Sequence, residues 1–212
     1  MVKLHGHPIS NYYNIVKLGL LEKGVEFEEV EIGTKKTEEL LGKSPAGKIP
    51  FLETDQGILT ETDVILEYID AAFDGPSFFP ADSFGKAKVR ELMKHMELYV
   101  ELPARRLYGA AFQGETISDQ EKEEVKLLLE KGFSTVKALA KFEPYLVGKE
   151  LTYADFYSQY SLALATRVTK VVYGWNSLND MPEFKVLLKE LGEREASKKV
   201  AEDQMKALSG GA

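Results

Sequence analysis

Between Ser44 and Thr62 the chain reads SPAGKIPFLETDQGILTET, with two short apolar runs, Ile49 to Leu52 and Ile58 to Leu59, around Asp55-Gln56-Gly57. A turn closed by glycine between two such runs predicts a β-hairpin. Pro50 heads the first strand and lacks an N–H, so this reading gives it an unpaired edge facing outward, where something could dock. Gly47 just before it frees the backbone to bend.

The preceding residues prepare a sheet for that hairpin to join. Val2 to His5 reads as a strand and Val25 to Ile32 as another. Between them, Ile15, Leu18 and Leu21 recur at helical spacing from Tyr12 to Lys23, and Gly24 stands where a helix ends. Strand, helix, strand predicts a parallel crossover. Thr37 to Leu41 reads as a short helix and Thr62 to Phe73 as a firmer one, with Val64, Ile65, Tyr68, Ile69 and Ala72 on its apolar face. The order β-α-β-α-β-β-α is that of a thioredoxin-like domain, expected over residues 1–75.

Asp74 to Asp82, DGPSFFPAD, has the composition of a linker, and no strand pattern follows it. An all-helical domain is therefore expected over 83–212, with long helices from Ser83 to Gly109 and from Ser118 to Lys141. A shorter helix pair is expected to close the chain: Pro182 suits a helix start near Glu183 to Leu191, Gly192 separates it from a charged stretch, and the tail Ser209-Gly210-Gly211-Ala212 is expected to be mobile.

Composition narrows the chemistry. A net charge of -7 argues against nucleic-acid or anionic-membrane partners, which need a basic face. No run approaches the roughly eighteen apolar residues of a membrane span, nor is there a signal-peptide layout, so a cytoplasmic location is expected. His5, His7 and His95 are too scattered in pattern to suggest a metal site, and none is expected. With no cysteine, the chain has neither a disulfide nor a thiol nucleophile, and the Cys-x-x-Cys of a thioredoxin is replaced by Ser10-Asn11-Tyr12-Tyr13. Any thiol must arrive with a ligand.

Pro45, Gly47, Lys48, Ile49, Pro50 and Leu52, followed after the hairpin by Glu61-Thr62, resemble the glutathione-binding signature of the cytosolic glutathione S-transferases. Gly148 to Asp155, GKELTYAD, resembles that family's second hallmark, in which Thr152 and Asp155 cap a buried helix. The resemblance implies a cis Ile49-Pro50 bond, with the Ile49 backbone pairing with the cysteinyl unit of glutathione as an added strand does. It further implies glutathione as co-substrate, a small electrophile as second substrate, a role in detoxification and a homodimer. Glutathione-dependent isomerisation, peroxide reduction or dehalogenation share the same activated thiolate, and a scaffold that binds without turnover would keep the fold.

Site residues follow from what the ligand needs. A thiol of reference pKa about 8.5 is mostly protonated at neutral pH, so a directed donor must stabilise the thiolate. Ser10 falls where serine-type members place their catalytic hydroxyl, although a plain helix cap also favours serine. Asn11 and Tyr12 are the reserves, and Tyr13 reads as packing. Glu61 and Thr62 open a helix and could hold the γ-glutamyl end, or simply cap it. Lys48 and Lys35 could meet the glycyl carboxylate, Lys35 and Lys36 reading equally as solvated loop charge. For the electrophile, Tyr99, Arg106 and Tyr108 are candidates on one long helix with Met93 and Met96, a stripe that core packing would also explain. Arg105 and Arg106 could favour an anionic co-substrate, and Trp175 reads as packing.

Overall fold

A computed structural model describes residues 1–33 and 37–210. Two compact units emerge, one formed by Met1–Ser77 together with the chain from Glu193 onward, the other by Phe78–Gly192.

In the first unit β1 (Val2–Gly6), α1 (Asn11–Lys23), β2 (Phe27–Glu31), α2 (Glu38–Lys43), β3 (Phe51–Thr54), β4 (Gly57–Thr60) and α3 (Thr62–Ala72) follow the expected order. The four-stranded sheet runs β2-β1-β3-β4, with β1 and β2 parallel and both β3 pairings antiparallel. Thr54 pairs with Gly57, so Asp55-Gln56 is the two-residue loop, and the Thr54 hydroxyl accepts from Gln56 N–H and Gly57 N–H and donates to Gly57 C=O. Val2, Leu4, Leu52, Val16, Leu20, Ile65 and Ile69 form the core of this unit.

The expected edge at Pro50 is corrected by the pairing. β3 is an interior strand, bonded to β1 on one side and β4 on the other, and its ladder begins only at Phe51. Any unpaired backbone belongs to the residues preceding the strand. Pairing partners are long-range, and a proline at a strand's first position fits an interior strand as well as an edge.

α1 is buried on nearly every side, because it packs against both α3 and α11 (Glu195–Gly210). α11 extends through Ser209 and Gly210, the start of the tail expected to be mobile, while residues 211 and 212 lie outside the described residues. Lys17, fully buried in α1, donates to Glu29 at 2.6 Å and to Asp203 at 2.8 Å, and Arg194 makes two 2.6 Å bonds to Glu22. Burial alone would raise the Asp203 carboxyl, but bonds from Lys17 and Lys199 outweigh it and hold it below the usual range. A lysine held at this depth requires its carboxylates, so the charged stretch is ordered by a partner far away in sequence.

The second unit is helical: α4 (Ser83–Met96), α5 (Leu102–Arg105), α6 (Tyr108–Phe112), α7 (Asp119–Leu139), α8 (Tyr153–Tyr157), α9 (Ala163–Tyr173) and α10 (Pro182–Gly192). The single helix expected from Ser83 to Gly109 is broken. Glu97–Glu101 widens into a π-helical turn in which Leu102 N–H reaches back to Glu97 C=O, and the helix is interrupted again at Arg106 and Leu107. Pro103 is the physical reason: it has no N–H for the Tyr99 carbonyl, and its ring crowds that carbonyl in a regular turn. On α7, Gly132 lies so close to Tyr99 that an added Cβ would fall 2.0 Å from its carbonyl oxygen. Phe78, Phe79, Tyr153 and Phe156 interlock through edge and tilted ring contacts around the start of α8.

Candidate active site

The register of the sheet brings the signature segments to one end. His5 of β1 pairs with Phe51 of β3, and Phe51 pairs with Thr60 of β4. The loop His7 to Ser10 leaves β1 just beyond that row, Ile49-Pro50 enters β3 just before it, and Glu61-Thr62 leave β4 just after it. Three stretches distant in sequence thus share one side of a short row of paired residues.

Ser10 is the half-buried N-cap of α1, and its Oγ accepts from Tyr13 N–H at 3.4 Å. That bond is long and uses a lone pair. Among the described residues the Ser10 hydroxyl proton has no acceptor, so capping and donation to a ligand are compatible. The loop is held by Ser10 N–H to His7 C=O at 2.9 Å and by the buried Asn14 amide, which donates to Pro8 C=O at 2.8 Å. Asn11 opens the helix and is buried, and Tyr12 is half-buried. Tyr13 is core packing: its ring fills the space that a Cβ on Gly6 would occupy, and its hydroxyl donates to Glu29 at 2.5 Å. Burial and Glu29 raise the Tyr13 phenol far above its ordinary pKa, so it stays protonated.

The Ile49-Pro50 bond is cis, as the resemblance implied. Ile49 is half-buried, Pro50 buried and Lys48 exposed. Lys35 and Lys36 lie outside the described residues. Glu61, exposed, holds φ at +69°, a left-handed backbone that a non-glycine residue adopts only under constraint, and its carbonyl accepts the Ile65 N–H at 2.9 Å. Thr62 follows, buried, as the first residue of α3.

A family model described as "Glutathione S-transferase, N-terminal domain" matches residues 4–77. Over 204 residues the chain is 46% identical to a glutathione S-transferase of Pseudomonas putida, an alignment covering 96% of this chain and 93% of that one. The chain belongs to the glutathione S-transferase family. A probable glutathione S-transferase of Solanum tuberosum is 38% identical over 104 residues, 45% of each chain. Among solved structures, glutathione transferase F7 of Populus trichocarpa superposes with a TM-score of 0.79 at 24% identity, covering 96% of this chain and 99% of that one. That likeness is one of fold, a thioredoxin-like domain followed by an all-helical one.

The electrophile candidates of this glutathione S-transferase are dispersed by the broken helix. Tyr99 sits exposed in the π-helical turn beside the His95 ring, 5.0 Å between centroids. Arg106 reaches α7, with Glu121 at 3.2 Å and Glu124 at 3.6 Å. The Tyr108 hydroxyl donates to the fully buried Glu101 at 2.9 Å, and Arg105 ion-pairs with the same carboxylate. Both arginines have carboxylate partners, which weakens the expectation of an anionic co-substrate. Met93 and Met96 are core. Trp175 packs edge-on against Phe133 and donates to Asp180 at 3.3 Å.

Asp155 of the second hallmark is fully buried and accepts three bonds: Leu146 N–H at 2.9 Å, Thr152 N–H at 2.8 Å and the Thr152 hydroxyl at 2.9 Å. Among the described residues no group of three or more His, Cys, Asp or Glu side chains is placed to hold a metal ion, and no helix is long and apolar enough to cross a membrane.

Proposed function

We propose that this chain binds glutathione in its thioredoxin-like unit and that the bound thiolate attacks an electrophilic carbon of a small second substrate, forming a glutathione S–C bond as a leaving group such as halide departs or a conjugated double bond takes up the electron pair and a proton. The observation that carries the reading is the paired row His5, Phe51, Thr60, beyond which Ser10, Ile49 and Thr62 all follow or precede the sheet at one end. The 46% identical Pseudomonas putida relative, named for this activity, supports it along most of the chain.

In this reading the Ser10 O–H donates to the sulfur and favours the thiolate. Asn11 and Tyr12 remain the alternatives for that role. Ile49 offers its backbone to the cysteinyl unit beside Pro50, while Thr62 and the start of α3 receive the γ-glutamyl carboxylate and Glu61 meets the ammonium. Lys48 and Lys35 meet the glycyl carboxylate. The chain's lack of cysteine means that glutathione supplies the only thiol, with no internal disulfide to compete. Tyr99, Arg106 and Tyr108 are assigned to the second substrate, and a cytoplasmic setting, where glutathione is kept reduced, suits the chemistry.

The reaction is tested by turnover with glutathione against aryl halides, organic peroxides, unsaturated carbonyls and small haloalkanes. Transfer to an aryl halide or unsaturated carbonyl is expected. Glutathione binding with no turnover on any member, and no thiolate absorbance at neutral pH, would favour the binding scaffold instead.

Leu98 and Leu102, with Leu127 and Leu128 of α7, expose apolar surface on the helical unit. Such surface supports assignment as a homodimer with a two-fold, self-complementary contact. Sedimentation velocity at micromolar concentration is expected to give twice the chain mass, and a monomer there would remove the dimer.

A further inference from the structure

We infer that Ser44 is a positioning residue for glutathione, one that sets the direction of the Ile49 N–H without touching the ligand. The inference rests on the glutathione reading above. Ser44 is 1% exposed and stands between α2, which it terminates, and the turn that leads to Ile49-Pro50.

All of its polar groups are engaged. Its N–H donates to Leu40 C=O at 2.7 Å, and its C=O accepts from Gly47 N–H at 2.7 Å. Its hydroxyl donates to Lys48 C=O at 2.7 Å and accepts from Lys48 N–H at 3.2 Å. Gly47 holds φ at +62°, the left-handed backbone through which so tight a turn returns to its own start. One buried hydroxyl therefore closes the loop on both sides of Lys48.

Peptide planarity carries that constraint one residue further. The Lys48 carbonyl and the Ile49 N–H belong to the same peptide unit, planar and trans, so they point in opposite directions. A carbonyl drawn toward the buried Ser44 hydroxyl turns the Ile49 N–H away from it. Because Ile49 N–H is the donor assigned to the cysteinyl unit, Ser44 orients a ligand contact through two intervening atoms. Lys48 itself is exposed, so its side chain does not supply this restraint.

Without the hydroxyl, the peptide unit must be ordered when glutathione binds rather than beforehand. That cost falls equally on the ground state and the transition state, so it raises KM and leaves kcat alone. In Ser44→Ala, calorimetric titration with glutathione is expected to show a dissociation constant about five- to tenfold higher, with KM for glutathione rising in parallel. The kcat, the KM for the electrophile and the pKa of the bound thiol should stay within twofold of the parent values. A destabilised fold alone would lower the active fraction and hence kcat, leaving KM unchanged. That pattern, or an unchanged dissociation constant, would overturn the inference.

Should Ser44→Ala fail to fold, Ser44→Cys provides a nearly isosteric side chain with a weak donor and acceptor, and the same criteria decide. The parent measured alongside separates the two readings. If the parent does not bind glutathione, both fall, whereas binding by the parent with an unaffected variant removes only the role of Ser44.

Discussion

In Ser10→Ala, the thiol of bound glutathione is expected to titrate about one to two pH units higher than in the parent, because a charge-assisted hydrogen bond contributes roughly 1.5–3 kcal/mol. Starting from a bound thiol that is largely ionised at neutral pH, a rise of one to two units should lower the thiolate fraction, and turnover with it, by about three- to thirtyfold. Glutathione affinity should change less, since the contacts assigned to Ile49 and Thr62 remain. The cap bond bears on the size of the stability effect: at 3.4 Å it is long, so its loss should cost near the lower end of the range of about 0.5–2 kcal/mol. The measurement is thiolate absorbance against pH, with urea unfolding beside it. A residue acting only as a cap would reverse the pattern, leaving the titration as in the parent while unfolding shifts by about 1 kcal/mol. A large shift in Asn11→Ala or Tyr12→Phe, with none in Ser10→Ala, would transfer the donor role to that neighbour.

What was legible in the sequence followed from local physics. Gly24 and the apolar spacing after Tyr12 marked α1, and the two runs around Asp55-Gln56-Gly57 marked the hairpin, because backbone preference and side-chain period act within a few residues. Features that depend on distant partners were not legible in that way. The interior position of β3 depends on β1, and the order of α11 depends on Lys17 bonding to Asp203, 186 residues later. A signal for the latter existed: Lys17 stands among the apolar residues Ile15, Val16, Leu18 and Leu20 of α1.

Pro103 is a different case. The break it imposes is a local rule, and the methionine and tyrosine spacing around it suggested continuity where the proline forbade it. Within the candidate site, Ile49, Glu61 and Thr62 were suggested by the signature and Ser10 by the place of the serine-type hydroxyl after the first strand. Asn14 and Ser44 were not, because a buried polar side chain that braces a loop has no periodicity, and which carbonyl it holds is decided by the tertiary fold. The strained backbone of Glu61 is likewise invisible in a residue that has no special claim to the left-handed region.

Asp155→Ala is expected to destabilise the protein by about 1–3 kcal/mol while leaving turnover per folded molecule unchanged. The change strips the acceptor from Leu146 N–H, Thr152 N–H and the Thr152 hydroxyl together, all in a buried setting where water does not readily replace it. It thereby releases both the start of α8 and the Leu146 backbone that the same carboxylate holds. A pH signature distinguishes the carboxyl from a neutral substitute. Burial pushes the Asp155 carboxyl up to about 6, although the three donors favour its ionised form. A folded-state pKa above the unfolded value means that this group's stabilising contribution is fully present below about pH 3.9 and is lost as pH rises through 6. The stability difference between the parent and Asp155→Asn, which cannot ionise, should therefore shrink from pH 4 to pH 6 in the parent's disfavour and stay level above pH 7. Urea unfolding of both proteins across that range measures it. A difference that is flat with pH would mean that the carboxyl does not titrate there, and lost turnover at unchanged stability would make Asp155 part of the chemistry rather than of the helix start.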